Sequence, residues 1–545
     1  MNKVAHYLQE HLTGEVMTSG DARKYFSTDN SIFSVTPSVI VYPKNENDIR
    51  KIARFAWQLA ERGRIIPITA RGNGTDLSGA AIGSGILMVL PAHLNRLLSW
   101  DDKEGLVTAE AGMNYGKLQQ VLMTHGRFLP SAPASLEYST IGGAVANNAG
   151  GIRSLKYGDT RAYVKGLRVV LSNGEIIETE RLSKRDLNRK LGLASFEGEI
   201  YRSLDALLEE NKEIVAKSVL NVTRNAAGYA LADVKAKDGT FDLTPLLVGS
   251  QGTLGLVTET TLESVPFNAK RILTVAYLEE LKDLQSAIIE LRNLPDMPSA
   301  MELVDINLLN FVTDLNANLF NGILNRPYPK YVLLIEFDNA NEHKMKKLLR
   351  KADKILAKYA KEHFSETDEA KQHEYWKLRE ASALLLAHNQ GQLNPVPLID
   401  DGIVPVDLLS QFIQSIYDLF GREHLDVAVW GHAGDGNLHI RPFLNLGQIG
   451  DRQKAFRMLD EFSRQICSMG GSTSGQYNDG RLRGPYLSQL YSEEVYQLFV
   501  KVKKIFDPYN ILNPGVKLNV SLEEVKPLVR NSYGMTHIYD HLPLS

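Results

Sequence analysis

Residues 38–79 read SVIVYPKNENDIRKIARFAWQLAERGRIIPITARGNGTDLSG. The apolar run Ser38–Pro43 has the length of a short strand, Asp48–Arg62 carries apolar residues at helical spacing, and Ile65–Ala70 is a second strand-like run. A β-α-β unit therefore opens the fold, and a glycine-rich turn, Arg71–Gly79, follows its second strand. Glycines there let successive backbone N–H groups point inward at an anion. No Gly-Lys-Ser/Thr follows, so it is not a Walker loop, and the spacing is not GxGxxG. On its own, a structural turn explains this segment as well as an anion cradle does.

Outward from this unit, Ile86–Leu90, Gly105–Ala109 and Gly166–Leu171 read as strands and Tyr115–His125 as a helix. Ser172–Glu175 reads as a hairpin turn between Leu167–Leu171 and Ile176–Thr179. Glu180–Lys190 is so charged that an exposed loop is expected. The texture changes after Pro266. Strands at Arg271–Leu278, Ala300–Val304 and Tyr331–Phe337 alternate with helices at Glu280–Leu294, Glu342–Glu362 and Arg452–Met469, and Ser492–Ile505 is a further helix. This predicts an α+β second domain with a mainly antiparallel sheet.

Within that domain, Trp430–Pro442 reads WGHAGDGNLHIRP. Asp435-Gly436 is a two-residue turn signal, which pairs Gly434 with Asn437, Ala433 with Leu438 and His432 with His439. Period-2 alternation places Trp430, His432, Asn437, His439 and Arg441 on one face. Two imidazoles that close can grip a metal ion or act on a small anion. A solvated surface hairpin is the bland alternative.

The 545 residues exceed one simple core, so two or three domains are expected. A net charge of −3 excludes binding nucleic acid or anionic membrane by bulk charge. The lone cysteine, Cys467, excludes disulfides and iron–sulfur ligation by this chain alone. The N-terminal residues lack the apolar core of a signal peptide, and no run is long enough to cross a bilayer. A cytoplasmic location is expected; peripheral membrane association and a homodimer stay open.

Two further glycine-rich stretches follow the first: SAPASLEYSTIGGAVANNAGG at Ser131–Gly151 and VGSQGTLGLVTE at Val248–Glu259. Such small side chains admit a flat or extended ligand against the backbone. Three segments in this order, ahead of a second domain, favour a large phosphate-bearing cofactor.

With IRSLKYGDT, TRNAAGYAL, WKLRE, GHAGDGNLH and ILNPGVK, these segments resemble the FAD-linked oxidases and dehydrogenases of the vanillyl-alcohol oxidase type. The resemblance runs from about Ser27 to Lys517, in the branch of D-lactate, D-2-hydroxyglutarate and glycolate dehydrogenases. It implies an N-terminal lead over 1–30, a two-subdomain FAD-binding domain over 31–266, a substrate-binding cap over 267–500 and a segment over 501–545 that returns to the flavin. It implies FAD, with Arg71, Gly72, Asn73, Gly74, Thr75 and Asp76 at the pyrophosphate. Thr140, Gly142, Gly143, Asn147 and Gly150 would line the flavin, Gly252 and Val257 would support the adenine half, and Asn513 would reach the ring. No histidine lies in the Arg71–Gly79 loop and no cysteine is near, so the FAD is expected to be non-covalent.

By the same resemblance, Arg379 would hold the carboxylate of a D-2-hydroxy acid. Read alone, Arg379 is as compatible with a helix-surface charge. His432 and His439 would bind a divalent metal such as zinc, and Asn437 would contact substrate. One departure stands out. Relatives commonly read GEHG where this chain has Gly475-Gln476-Tyr477-Asn478, so the acidic ligand becomes Gln476 and the catalytic histidine becomes Tyr477. A neutral amide binds a hard or borderline cation more weakly, and tyrosine is a poorer base at neutral pH. The main expectation is a 2-hydroxy acid dehydrogenase with Tyr477 as base or hydrogen-bond donor, passing electrons to a separate quinone, carrier, iron–sulfur subunit or oxygen. A degenerate FAD-binding subunit and a flavin-dependent alkyl transferase of the ether-lipid synthase type are the alternatives.

Overall fold

The computed structural model describes residues 3–387 and 393–533. The opening β-α-β unit forms as read. Val39–Tyr42 and Ile68–Arg71 flank Ile86–Val89, both parallel to it, and Glu15–Met17 adds an antiparallel edge strand beside Val39–Tyr42. The crossover helix Glu46–Glu61 is capped by Asn45, whose side chain accepts from Asp48 N–H. Its Ile49, Ile52, Ala53 and Ala56 pack on the sheet. The N-terminal lead belongs to the same core: Val4, Ala5 and Leu8 of the helix Lys3–His11 are buried in it.

A second, antiparallel sheet has five strands in the order Leu97–Asp101, Leu106–Glu110, Leu256–Glu263, Val164–Val170 and Ile176–Thr179. The helices Tyr115–Thr124, Phe196–Glu210 and Glu493–Phe506 cover it. The charged stretch expected as a loop is instead largely helical, Lys184–Leu191. Ser183 caps it, and Leu187 is its one buried side chain, so a single anchor and a cap suffice for an otherwise solvated helix.

The third sheet carries the second domain. Its seven strands are all antiparallel, in the order Glu362–Glu366, Ile272–Leu278, Tyr331–Phe337, Ala300–Asp305, Val429–His432, Asn437–Ile440 and Gly402–Ile403. Helices Leu281–Arg292, Glu342–Tyr359, Leu409–Arg422 and Ile449–Ser468 share one core with it. Ile306–Leu315 and Glu369–Glu380 contribute to a separate core around Trp430. With helices and both sheet types in separate blocks, the chain is α+β, and its two small sheets plus a larger antiparallel one match the expected two-subdomain cofactor domain and cap.

The C-terminal segment returns to the first sheet. Ile68 N–H donates to Ile511 O at 2.7 Å, and Asn513 N–H donates to Ile68 O at 2.8 Å, next to the Arg71 turn. Among the described residues, no helix is long and apolar enough to cross a membrane.

Candidate active site

The three glycine segments meet in one cleft with about 700 Å³ of empty space. Arg71, Gly72, Asp76, Thr140, Gly142, Gly143, Asn147, Gly252 and Val257 line it, so most of the residues expected to hold the cofactor converge there. Thr140 caps the helix Ile141–Asn147, accepting from Gly143 N–H at 3.1 Å, and this points the N-terminus of that helix at the cleft. A Cβ on Gly142 would lie 2.7 Å from Ala111 Cβ, so the helix can approach the second sheet only as glycine. Arg71 is buried, with NH1 bonded to Thr28 O and Ala81 O, while its Nε and NH2 have no partner. A buried guanidinium with two unused donors at a glycine-rich turn suits a phosphate.

Other expected contacts do different work here. Asn73 Nδ2 donates to Tyr138 O at 2.8 Å, and Thr75 Oγ1 lies 3.5 Å from Ser139 Oγ; both tie the turn to the strand-to-helix segment rather than to the cleft lining. Gly74 takes φ +74, which fits glycine at that turn. Asn513 is buried and fully engaged: Nδ2 donates to Ala80 O and Gln251 O, and Oδ1 accepts from Thr69 Oγ1. It locks three cleft segments together. Gly150 lies apart from the cleft lining, against Asp159 and Arg224.

The hairpin pairs differently from the sequence reading. His432 faces Asn437 and Trp430 faces His439, because Ala433–Asp435 forms a 3₁₀ turn closed by Gly436 at φ +76. The loop is thus four residues, not two. Asp435 is drawn inward toward Arg224 instead of sitting at an exposed turn position. The offset is two residues, so side-chain parity is preserved and His432, Asn437 and His439 keep one face. The two histidines meet diagonally, with ring centroids 5.1 Å apart and Nε2 atoms 3.4 Å apart.

Each ring is fixed from behind. Glu302 Oε1 accepts from His432 Nδ1 at 2.6 Å, and Asp400 Oδ1 accepts from His439 Nδ1 at 2.8 Å. A carboxylate only accepts, so both Nδ1 atoms carry a proton, and the two Nε2 atoms face each other at the centre. Glu302 also takes Arg379 Nε at 2.7 Å, and Asp400 takes Arg441 Nε at 2.9 Å. Burial would raise both carboxyls, but the arginine charges and the histidine N–H bonds outweigh it and hold them below the ordinary carboxylate range. Burial dominates at His432 and lowers it to about 3, so the ring stays neutral.

Tyr477 stacks on His439, with ring centroids 5.5 Å apart and planes at 24°, and its hydroxyl lies 3.4 Å from His439 Nδ1. Burial pushes that hydroxyl far above its ordinary pKa, so it remains protonated. Gln476 Nε2 lies 3.3 Å from His439 Nε2, and its Oε1 is buried without a partner. Asp401 shapes this turn by accepting the backbone N–H groups of Gln476 and Tyr477. Next in sequence, Asn478 Nδ2 donates to Asn147 O at 3.2 Å and to Gly249 O at 2.9 Å, which joins the histidine face to the end of the cleft.

Arg379, Asn437, Tyr477, His432 and His439 are therefore one constellation. Glu302, Asp400, Arg441 and Arg224 are the members that the sequence reading did not assign. Arg441 was placed on this face by the strand alternation and Arg224 lies in the quoted stretch TRNAAGYAL, whereas the one signal of Glu302 and Asp400 was a charged residue inside an apolar run, AMELVD (300–305) and PLIDDGIVP (397–405).

Residues 37–180 match the family described as FAD binding domain, and 268–516 match FAD linked oxidases, C-terminal domain. The chain is 30% identical over 533 residues to D-2-hydroxyglutarate dehydrogenase of Escherichia coli (strain K12), covering 94% of this chain and 51% of that protein. It thus spans about half the length of that relative and of the D-2-hydroxyglutarate dehydrogenases of Pantoea ananatis and Haemophilus influenzae that it also matches. It is 28% identical to glycolate oxidase subunit GlcD of Bacillus subtilis (strain 168), covering 88% of each. The fold is similar to 4-ethylphenol oxidase from Gulosibacter chungangensis, with TM-score 0.67, 14% identity and coverage of 93% and 95%.

Proposed function

Because the chain belongs to the FAD-linked oxidases, in the D-2-hydroxy acid dehydrogenase branch, we propose that it oxidises a small D-2-hydroxy acid at the histidine face and passes the electrons to a separate acceptor. The observation that carries this reading is the linked array Arg379–Glu302–His432···His439–Asp400–Arg441, set beside Asn437 and Tyr477 at the end of the cofactor cleft.

FAD, once bound in the cleft, supplies the hydride acceptor. Arg71 has two buried donors free for its phosphates, and the glycines at 142 and 143 keep the helix surface low enough for a flat ring. Arg379 takes the substrate carboxylate while Glu302 fixes its Nε edge. Asn437 is held by Arg224 and by Gly402 O, so its amide presents a fixed polar edge. Tyr477 keeps its proton and donates a hydrogen bond to the substrate oxygen; it does not act as base. The hydroxyl proton released in the oxidation goes to water.

His432 and His439 suit a divalent cation, since their Nε2 atoms converge and their Nδ1 atoms are bonded to carboxylates. Gln476 would add its unpartnered amide oxygen if the amide is turned over. That makes a neutral three-donor seat, weaker than one with an acidic ligand. A cation there would supply Lewis acidity to the hydroxyl.

The test is anaerobic mixing of the FAD-loaded protein with D-2-hydroxy acids, including D-lactate, glycolate and D-2-hydroxyglutarate. Bleaching of the flavin absorbance by at least one is expected. A flavin that stays oxidised against the whole panel defeats this reading.

A further inference from the structure

The cap-domain helix Glu342–Tyr359 reads EHKMKKLLRKADKILAKY. Met345, Leu348, Ala352 and Leu356 are buried in the core, while Lys344, Lys346, Lys347, Arg350, Lys351 and Lys354 are all exposed. Successive helical residues turn by about 100°, so these cations share one arc of about 160° and form a stripe about 15 Å long. The acidic residues of the helix are engaged elsewhere: Glu342 pairs with Lys270 at 2.7 Å and Asp353 with His363 at 2.9 Å. Among the described residues, none of the cations of the stripe is in an ion pair. Beyond it, Lys358 pairs with Glu290 at 2.6 Å and Lys361 lies 3.4 Å from Glu279, so the C-terminal end has an acidic border.

Protein surfaces ordinarily intersperse the two signs, and a field of one sign draws in partners of the other. This stripe stands on a chain whose net charge is −3, so the surface outside it is more negative than the whole. Its place is also specific. Asp338, just before the helix cap Asn341, takes Lys156 Nζ and the Tyr157 hydroxyl, both from the segment that follows the cleft helix Ile141–Asn147. The stripe therefore begins at the junction with the cofactor domain.

We propose that this stripe is the docking surface for an electron-accepting protein with an acidic contact face. The inference rests on the separate acceptor of the functional reading and on no particular hydroxy acid. Two one-electron carriers would each take one electron from the reduced FAD, which returns to its oxidised form as its added hydrogen leaves as a proton to water. A protein partner fits better than a membrane. The apolar side of the helix is committed to the core and none of its large apolar side chains is exposed, so nothing is left to insert into a bilayer. An extended anionic sheet would also meet the acids that border the stripe, whereas a partner about as wide as the stripe meets mostly cations.

Plastocyanin, an acidic copper carrier, and cytochrome c, a basic haem carrier, serve as probes, since each accepts one electron. The FAD-loaded full chain is photoreduced with EDTA as electron donor, and its reoxidation by each carrier is followed by stopped flow. Without a local docking surface, the overall negative charge would favour cytochrome c. The stripe instead predicts faster reaction with plastocyanin at low salt. That rate should fall roughly tenfold or more from about 10 to about 100 mM salt, as the screening length shrinks from about 30 to about 10 Å. Lys346→Glu, Lys347→Glu, Arg350→Glu and Lys351→Glu, combined, should slow plastocyanin by a similar factor and leave reoxidation by uncharged benzoquinone unchanged. Thermal unfolding and FAD content check that variant; if it does not fold, Lys347→Gln with Arg350→Gln takes its place, with about a threefold loss expected. A plastocyanin rate indifferent to the substitutions overturns the proposal. Binding of the unmodified chain to phosphatidylglycerol vesicles, lost in the variant while its plastocyanin rate is unchanged, also overturns it and assigns the stripe to a membrane. Photoreduction needs no hydroxy acid, so failure of the hydroxy-acid panel would count against the substrate reading and leave this test standing.

Discussion

Glu302 holds His432 through a 2.6 Å bond to Nδ1, across 130 residues of sequence, while its other oxygen takes Arg379 at 2.7 Å. One buried carboxylate thus sets the tautomer of a site histidine and the pose of the arginine that would bind substrate. Glu302→Gln should slow anaerobic flavin reduction about 10–100-fold, because the amide cannot accept from both partners as a carboxylate does. Stopped-flow bleaching measures it, with FAD content as the control. A rate within twofold of the unmodified protein would show that this carboxylate does not matter to catalysis.

Metal occupancy separates the two uses of the histidine pair. The neutral donor set predicts a divalent ion that a brief chelator treatment removes. Gln476→Glu should tighten it by roughly tenfold or more, and His432→Ala should abolish it. Elemental analysis after gel filtration reads all three. Equal metal in His432→Ala and the unmodified protein would disprove the ligand assignment.

Tyr477→Phe removes the hydroxyl but retains the ring stacked on His439. Flavin reduction should slow by roughly 10–100-fold, the worth of one hydrogen bond to a developing charge, with little change in substrate affinity. If Tyr477 were instead the obligatory base, reduction would stop and recover at high pH in the unmodified protein.

The reading of 38–79 anticipated the first sheet because its signals are local: a β-branched run, a helical period and glycines at a turn. The hairpin's face was legible for the same reason, but its register was not. Asp435-Gly436 is a valid two-residue turn signal, but residues distant in sequence hold the wider loop: Thr223 Oγ1 donates to Asp435 O at 3.1 Å, Arg292 donates to Gly434 O, and Arg224 lies across from the Asp435 carboxylate. Glu302 and Asp400 were illegible for a related reason. Each sits in a run that reads as core, and its partners come from 130 and 39 residues away. Lys184–Leu191 has the composition of an exposed loop and is nevertheless helical, because Ser183 caps it and Leu187 anchors it.

Gly143 offers a separation of folding from cofactor binding. It lies within the helix Ile141–Asn147, and a Cβ there would meet only Thr140 Oγ1 at 3.1 Å, so its open side faces the cleft. Gly143→Leu should leave the apo fold as stable or gain up to about 1 kcal/mol from helix propensity. It should nevertheless lose most bound FAD, because the side chain fills the cleft. Flavin absorbance per protein and apo thermal unfolding test both halves. Normal FAD content would place the cofactor elsewhere.

The two domains are clamped by Arg153, whose Nε and NH2 donate to the two oxygens of Glu336 at 2.8 Å each, with Ser299 Oγ adding a third bond at 2.7 Å. Lys156 reinforces this through Asp338 at 2.8 Å and Asp296 at 2.9 Å. Burial would raise the Glu336 carboxyl, but Arg153, then Arg271 and Ser299, outweigh it and leave it below the usual 4.5. A carboxyl depressed in the folded state contributes stability that is fully present above its unfolded pKa and is lost as pH falls through its lower folded value. Thermal stability should therefore decline from about pH 4.5 downward, and Glu336→Gln should flatten that part of the profile. At neutral pH, Arg153→Ala should cost about 2–3 kcal/mol by leaving Glu336 buried and unpaired. Arg153→Ala with Glu336→Gln should recover part of that loss, because the uncompensated charge is gone. A double variant no more stable than Arg153→Ala would mean that the clamp acts through packing and not through charge.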